Sequence, residues 1–408
     1  MSLRYLTAGE SHGQALVGIL DGLPSGLSIV HEDIQAHLSR RKLGFGRGAR
    51  QKIETDEVQI ISGVRRGKTL GSPMSLIIQN KDWVSWQTVM QVEPDSDSDP
   101  SSDRKREVFV PRPGHADLVG GVKYDHADLR NVLERSSARE TAMRVALGSV
   151  ALRFLRELGI FVGSRVVEVG GRVDPSVVVG SVHELNARVD LSPVRCLGGG
   201  AEKEMIEAIE SAHKAGDTLG GVFEVIASGV PVGLGSYSQW DRRLEAQIGE
   251  AFLSLNAIKG VEVGLGWGAS QKRGSEVHDE IILGEELPGA SDSTRTQRTV
   301  TFQTNRSGGI DGGMSTGQNL VIRAAMKPLS TLMKPLASVH LKTGAATPAH
   351  IERSDVCAVP SAAVIGEAIL GLVLSQKILE KFGGDSLREV AQRVTDWRRS
   401  APIHFPTG

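Results

Sequence analysis

The chain has 408 residues, 40% of them apolar, which is ample for a large core in one domain or two. Its formal net charge of −1 leaves no global field to gather nucleic acid. With only two cysteines, Cys196 and Cys357, a disulfide framework is excluded, and buried thiols in a reducing compartment are expected.

The first residues, Met1 to Leu6, lack the basic start, apolar run and cleavage site of a secretory signal, so a cytoplasmic location is expected. Neutrality conceals segregated patches: Arg40, Arg41, Lys42, Arg47, Arg50 and Lys52 form a basic cluster, and acidic and serine residues collect between Glu93 and Asp103. Val58 to Ile61 reads as a strand. The run Gly63 to Thr69 that follows resembles a phosphate loop but has one residue too few between its glycines, so a basic hairpin turn is the better reading. Met74 to Ile78 is a second strand. Val92 to Arg106 has nothing to bury and reads as a mobile surface loop, either a domain boundary or an insertion within one domain.

Ser137 followed by Glu140 has the spacing of a capping box, after which Met143, Leu147, Val150, Phe154 and Leu158 share one helical face before Gly159 stops it. Gly221 to Ala227 and Leu320 to Met326 are strand-like, and Leu244, Ile248, Ala251 and Leu255 mark a helix. Gly264, Gly266 and Gly268 lack the strand and helix that a dinucleotide fingerprint needs on either side. A long helix follows Pro360 and ends at Gly383 and Gly384. Its most apolar stretch, Ala358 to Leu374, is shorter than the roughly 18 residues of a membrane span and carries Glu367. The last helix starts on a Ser386 to Glu389 box and buries Leu387, Val390, Val394 and Trp397. Strands and helices do not alternate in regular units, so the fold class is α+β with antiparallel sheets. No pair of the eleven histidines has helical metal-ligand spacing, and no metal site is expected.

Three segments hold reactive side chains among small residues. In Gly9 to Gly13, His12 sits where backbone can approach a ligand, although for this segment alone an ordinary hydrogen-bonded loop histidine is the better reading. Arg112 to Asp117 brings His115, and Arg135 to Glu140 opens a helix whose free amides and two arginines suit an anion, phosphate most naturally; the alternative is a capping box with solvated arginines, although Ser137 can cap and still leave the arginines available. Lys327 to Thr331 closes a strand, and Arg353 precedes Asp355, a base if active and half of a structural ion pair if not.

These segments resemble the signatures of the chorismate synthase family: Gly9 through Pro24, Glu134 through Val150, and Arg353 through Ile369, joined by Arg40 to Gly48 and Pro113 to Asp117 in the same order. The resemblance covers nearly the whole chain and is weakest at Val92 to Arg106. It implies a single domain over residues 1–408, a β-α-β sandwich with helices between antiparallel sheets, and a homotetramer. It also implies conversion of 5-enolpyruvylshikimate 3-phosphate to chorismate and phosphate by 1,4-anti elimination, with reduced FMN and no net redox change.

By motif position, the resemblance makes His115 the acid for the departing phosphate and His12 the group that protonates the reduced flavin or balances its charge. Asp355, held by Arg353, assists removal of the ring proton. Arg41, Arg47, Arg50, Arg112 and Arg139 clamp the substrate anion. Flavin contacts fall on Arg135, Ser136, Ser137, Asn256, Ala257, Gly312, Lys327, Pro328, Leu329, Ser330, Thr331 and Arg353. The family also places NADPH near Arg41 and Arg47; here it is expected as an indirect reductant acting through a separate flavin reductase. Two rivals stand against this reading: an FMN-dependent oxidoreductase, and a non-enzymatic anion or RNA-binding module built on Arg40 to Lys52. Gly44 to Gly48 looks like an arginine-glycine repeat but occurs once.

Overall fold

The computed structural model describes residues 3–48, 55–94, 106–286, 298–352 and 354–400. In chain order, the elements that frame the site begin with β1 (Arg4–Ala8), β2 (Ala15–Asp21), α1 (His31–Lys42), β3 (Val58–Ser62) and β4 (Met74–Gln79). They continue with α2 (Asp117–Tyr124), α3 (Arg130–Ser136), α4 (Thr141–Glu157), β5 (Phe161–Val169), β6 (Arg172–Val173), α5 (Val182–Val189), α6 (Gly199–Ala215) and β7 (Gly221–Ser228). Last come α7 (Leu244–Leu253), β8 (Ile258–Val263), β9 (Leu320–Met326), α8 (Val359–Phe382) and α9 (Leu387–Ser400).

The strands form two main antiparallel sheets, one of four strands in the order β1-β2-β4-β3 and one of five in the order β8-β9-β7-β5-β6. Period-two burial explains which face turns inward. In β2, Leu16, Gly18 and Leu20 are buried while Val17 and Ile19 are exposed, and in β4 Met74, Leu76 and Ile78 point the same way. Gly18 is required there, because a Cβ would stand 2.5 Å from Met143 Sδ on α4.

α1 and α4 cover the first sheet, α8 covers the second, and the helices pack on one another between them. α1 presents Ile34, Leu38 and Arg41 inward, one stripe at helical spacing. α8 is buried almost all round, which is why it is apolar all round; it alone among the described residues is long and apolar enough to cross a membrane, and it sits in the core. α4 and α8 cross where Gly148 meets Ala368; a Cβ on Gly148 would lie 2.4 Å from that of Ala368. This is the expected α+β class, with helices between antiparallel sheets.

Local expectations were met unevenly. The four strands and the helices α4, α7, α8 and α9 lie where periodicity put them, and Val64–Arg65 pairs with Lys68–Thr69 around Arg66 (φ 50) and Gly67 (φ 72) in the basic hairpin expected. The Ser386–Glu389 box is reciprocal: Glu389 N donates to Ser386 Oγ at 3.4 Å and Ser386 N to Glu389 Oε2 at 3.2 Å. The Ser137 box is not. Ser137 Oγ accepts from Arg139 N at 3.3 Å across the 3-10 turn Ala138–Glu140, and α4 starts only at Thr141. The Glu140 carboxylate has instead gone to Arg144, one turn on, and to Thr7 Oγ1 at 2.7 Å. Trp397 is not buried but 36% exposed, with Nε1 donating to Val232 O at 3.0 Å, since a side chain with a polar tip can rest on a core without entering it. Cys196 and Cys357 are buried and unpaired. Of the Val92 to Arg106 loop, residues 95–105 lie outside the described residues, as does Lys52 of the basic cluster.

Candidate active site

A cavity of about 250 Å³ opens at one end of the helical layer, bounded by the loop after β1, the junction of α3 and α4, the N-terminus of α8 and the segment after β9. His12 reaches it from the first of these. Gly9 (φ 105) makes the turn possible, because a Cβ there would stand 2.3 Å from Ala15 O, and Asn80 Nδ2 ties the loop down through Gly13 O at 2.7 Å. The buried His12 ring stacks on Trp86 with centroids 3.9 Å apart, and the Arg106 guanidinium lies 4.0 Å from the Trp86 centroid.

His12 Nδ1 lies 3.0 Å from both oxygens of Glu134, and its backbone N donates to Glu134 Oε2 at 2.8 Å. Burial pushes the Glu134 carboxyl up, but the His12 bonds and the charge of Arg130 overcome it and hold the group below its ordinary range. A carboxylate can only accept, so Nδ1 carries the proton and Nε2 is left as the exchangeable nitrogen.

The second histidine is set by its own turn. Asp117, wholly buried at the start of α2, accepts from His115 Nδ1 at 2.6 Å and from Arg112 Nε at 2.8 Å. Arg112 Nη1 donates to Thr331 Oγ1 at 2.8 Å, and Nη2 lies 3.2 Å from His115 Nε2. Burial opposes ionisation of Asp117; the hydrogen bonds from His115 and Arg112 outweigh it and leave the carboxyl far below the usual range. The segment after β9 latches onto this turn, with Lys327 Nζ at 3.0 Å and Ser330 Oγ at 2.9 Å from Gly114 O. Partial burial, with Lys259 nearby, lowers the Lys327 ammonium.

Arginines make up the remaining polar wall. Arg47 pairs with Asp355 at 2.7 Å, and Gly48 N donates to Asp355 Oδ1 at 2.6 Å. Arg47 Nε is buried with no hydrogen-bond partner among the described residues. Arg41 donates to Thr141 Oγ1 and Ala138 O, Arg139 Nε to Asn80 Oδ1 at 3.0 Å, and both guanidiniums meet Asp56. Burial lowers the Arg41 guanidinium against the pull of Asp56, with Arg47 and Arg139 adding to the lowering, which shows how closely these cations are crowded.

The cavity wall therefore unites His12, His115, Asp355, Arg41, Arg47, Arg112 and Arg139 with Ser137, Asn256, Ala257, Leu329, Ser330 and Thr331. Ala257 holds φ 67, a left-handed conformation rare for alanine, and its carbonyl accepts from Lys327 N at 2.9 Å. Other expected contacts stand off the wall. Arg135 turns back to Thr7 O and Gly9 O at 2.9 and 3.1 Å, Ser136 O accepts from Asn256 Nδ2 at 2.9 Å, Lys327 is taken up by the latch to Gly114 O, and Pro328 does not line the cavity. Gly312 lies in the tight turn between Ile310–Asp311 and Met314–Ser315, with nothing close to where its Cβ would be. Arg50 and Arg353 lie outside the described residues; among those described, Asp355 pairs with Arg47. Sequence reading assigned no role to Asp56, Asn80, Trp86, Glu134, Thr141 or Glu352. Glu352 borders the cavity, and although burial works against it, His350 and Arg130 hold its carboxyl at about 2.

The sequence model of the family described as chorismate synthase matches residues 3–379. A chorismate synthase from a Geobacillus species is 50% identical over 399 residues, covering 98% of this chain and 99% of the relative, and one from Listeria welshimeri is 49% identical over 396 residues, covering 97% and 98%. A crystal structure of chorismate synthase superposes with a TM-score of 0.75 at 38% identity over 97% of each chain. Likeness of this extent, in sequence and in fold, includes every part of the chain that builds the cavity, and the chain therefore belongs to the chorismate synthase family of enzymes.

Proposed function

We propose that this enzyme converts 5-enolpyruvylshikimate 3-phosphate to chorismate and inorganic phosphate by 1,4-anti elimination. The observation that carries this reading is the convergence of Arg41, Arg47, Arg112 and Arg139 on one cavity with two histidines, each backed by a buried carboxylate. Guanidiniums suit a substrate with a phosphate and two carboxylates, and Arg47 Nε, buried without a partner among the described residues, adds to the donors such an anion would need.

The cavity also fits a flavin. Leu133, Leu255, Ile258, Met326, Leu329 and Ile365 give it apolar wall for a ring system, and Ser137, Asn256, Ser330 and Thr331 supply polar atoms at its rim. Reduced FMN, when bound, supplies electron density that eases the departure of an allylic phosphate. The protein's own groups do the rest. His115, protonated at both ring nitrogens, keeps Nδ1–H on Asp117 and gives the Nε2 proton to the ester oxygen as the C–O bond breaks. Arg112 stands beside that nitrogen to meet the charge on the phosphate. The Asp355 carboxylate, fixed by Arg47 and Gly48 N, is placed to accept the ring proton directly or to orient the group that does. His12 holds its exchangeable proton at Nε2, with Glu134 balancing the imidazolium charge. One C–O and one C–H bond break and one C=C bond forms, so no net electrons are needed.

An FMN-dependent oxidoreductase would use much the same wall. Anaerobic incubation of the pure protein with 5-enolpyruvylshikimate 3-phosphate and dithionite-reduced FMN distinguishes them. Many equivalents of chorismate and phosphate per flavin are expected; one flavin oxidised per product would overturn the elimination.

A further inference from the structure

We infer that Asp56 is a positioning residue that clamps Arg41 and Arg139 from behind and presents the two guanidiniums to the substrate as a matched pair. This deepens the proposed function and rests on it. Asp56 is 1% exposed and is not part of the cavity wall, yet its two oxygens are divided between the two arginines that are: Oδ2 meets Arg41 Nη1 at 3.3 Å and Oδ1 meets Arg139 Nη1.

Two adjacent guanidiniums repel, and without an anion between them they would turn apart into different rotamers. A carboxylate with one oxygen for each converts that repulsion into two attractions and sets the spacing of the pair. Each arginine has a further anchor. Arg41 Nε and Nη2 donate to Thr141 Oγ1 at 3.2 and 2.9 Å, and Arg139 Nε donates to Asn80 Oδ1 at 3.0 Å. Asp56 itself is held in the left-handed region at φ 53, a conformation aspartate tolerates better than most side chains and one that persists only where surroundings enforce it. The enforcement is visible just downstream, where Val58 N donates to Gln35 Oε1 at 3.3 Å and so ties the start of β3 to α1, the helix that carries Arg41.

The anion contacts of such a pair exist before and during the reaction alike, so misplacing it weakens binding more than chemistry. Steady-state kinetics of Asp56→Asn and Asp56→Glu with reduced FMN, together with calorimetric affinity for 5-enolpyruvylshikimate 3-phosphate, test this. Asp56→Asn is expected to raise KM and Kd about 10- to 100-fold with kcat within about threefold, the loss of a charge-assisted contact. Asp56→Glu should recover part of the affinity. A lower Tm with KM and Kd unchanged would mean a merely structural carboxylate and would overturn the inference. If Asp56→Asn does not fold, Asp56→Glu carries the test by itself: its longer stem displaces the carboxylate that both guanidiniums share, and an unchanged KM and Kd there refutes the positioning argument equally. Failure of the wild type to form chorismate would instead sink the proposed function, so the two failures are distinct.

Discussion

Replacing Asp117 with asparagine removes one buried charge and touches both halves of the His115 site. Four donors share that carboxylate: His115 Nδ1 at 2.6 Å, Arg112 Nε at 2.8 Å, and Arg112 N and Nη2 each at 3.2 Å. The amide oxygen can keep some of these bonds, while the amide nitrogen turns a donor toward a donor. Losing a hydrogen bond to a charged group costs about 1.5–3 kcal/mol, or roughly a 10- to 150-fold fall in turnover if it is the His115 bond that orients the acid. Phosphate release measured anaerobically with reduced FMN reads this effect. Stability supplies a second, independent readout with a definite sign. The folded Asp117 carboxyl lies below its unfolded value of about 3.9, so the stability it contributes is present above about pH 4 and is lost as pH falls toward the folded value. Asp117→Asn has nothing to titrate, and its stability deficit in urea unfolding should shrink between pH 7 and pH 3. Wild-type turnover in this variant, with a deficit that does not change with pH, would refute the account of the site.

Removing the His115 imidazole with His115→Ala should lower kcat about 10²- to 10⁴-fold while leaving substrate affinity within a few fold, since the arginines remain; stopped-flow turnover and calorimetry separate the two. Glu367, wholly buried on α8, accepts from Arg40 Nη1 and Nη2 at 2.8 and 2.9 Å and from Asn186 Nδ2 at 3.1 Å. Glu367→Gln leaves Arg40 and Arg195 with Asp190 as their shared counter-charge and is expected to cost about 3–5 kcal/mol in chemical denaturation at pH 7. At the crossing of α4 and α8, Gly148→Val pushes a side chain into Ala368, whose Cβ and O lie 2.4 and 2.6 Å from the first added atom, and a loss of about 1–3 kcal/mol or more should appear as a lower Tm.

The elements that could be read in advance are those whose signal is local. α4 announces itself by apolar period, α8 by its apolar run after Pro360, both by the glycines that stop them, and the Gly63 to Thr69 turn by its spacing. α1 and α6 escaped notice. α1 has few apolar residues, its N-cap is Val30, and its basic end reads as a charge cluster; α6 starts on glycines that ordinarily mark loops. Trp397 and Glu140 were misjudged for the same kind of reason: a periodic position does not say whether a long side chain enters the core, nor which of two partners a carboxylate selects.

The sequence by itself determined the fold class, the family resemblance, and the motifs that carry His12, His115 and Asp355. It even held one complete constellation, because Arg112, His115 and Asp117 are so close along the chain that one turn brings them together. Tertiary structure alone decided the rest: Glu134 on His12 across 122 residues, Asp56 on Arg139 across 83, and Arg47 on Asp355. The reason is physical. Hydrogen bonds and buried ion pairs are won within a few ångströms, and at those separations only the packing of α1, α4 and α8 between the sheets sets which charges come within reach.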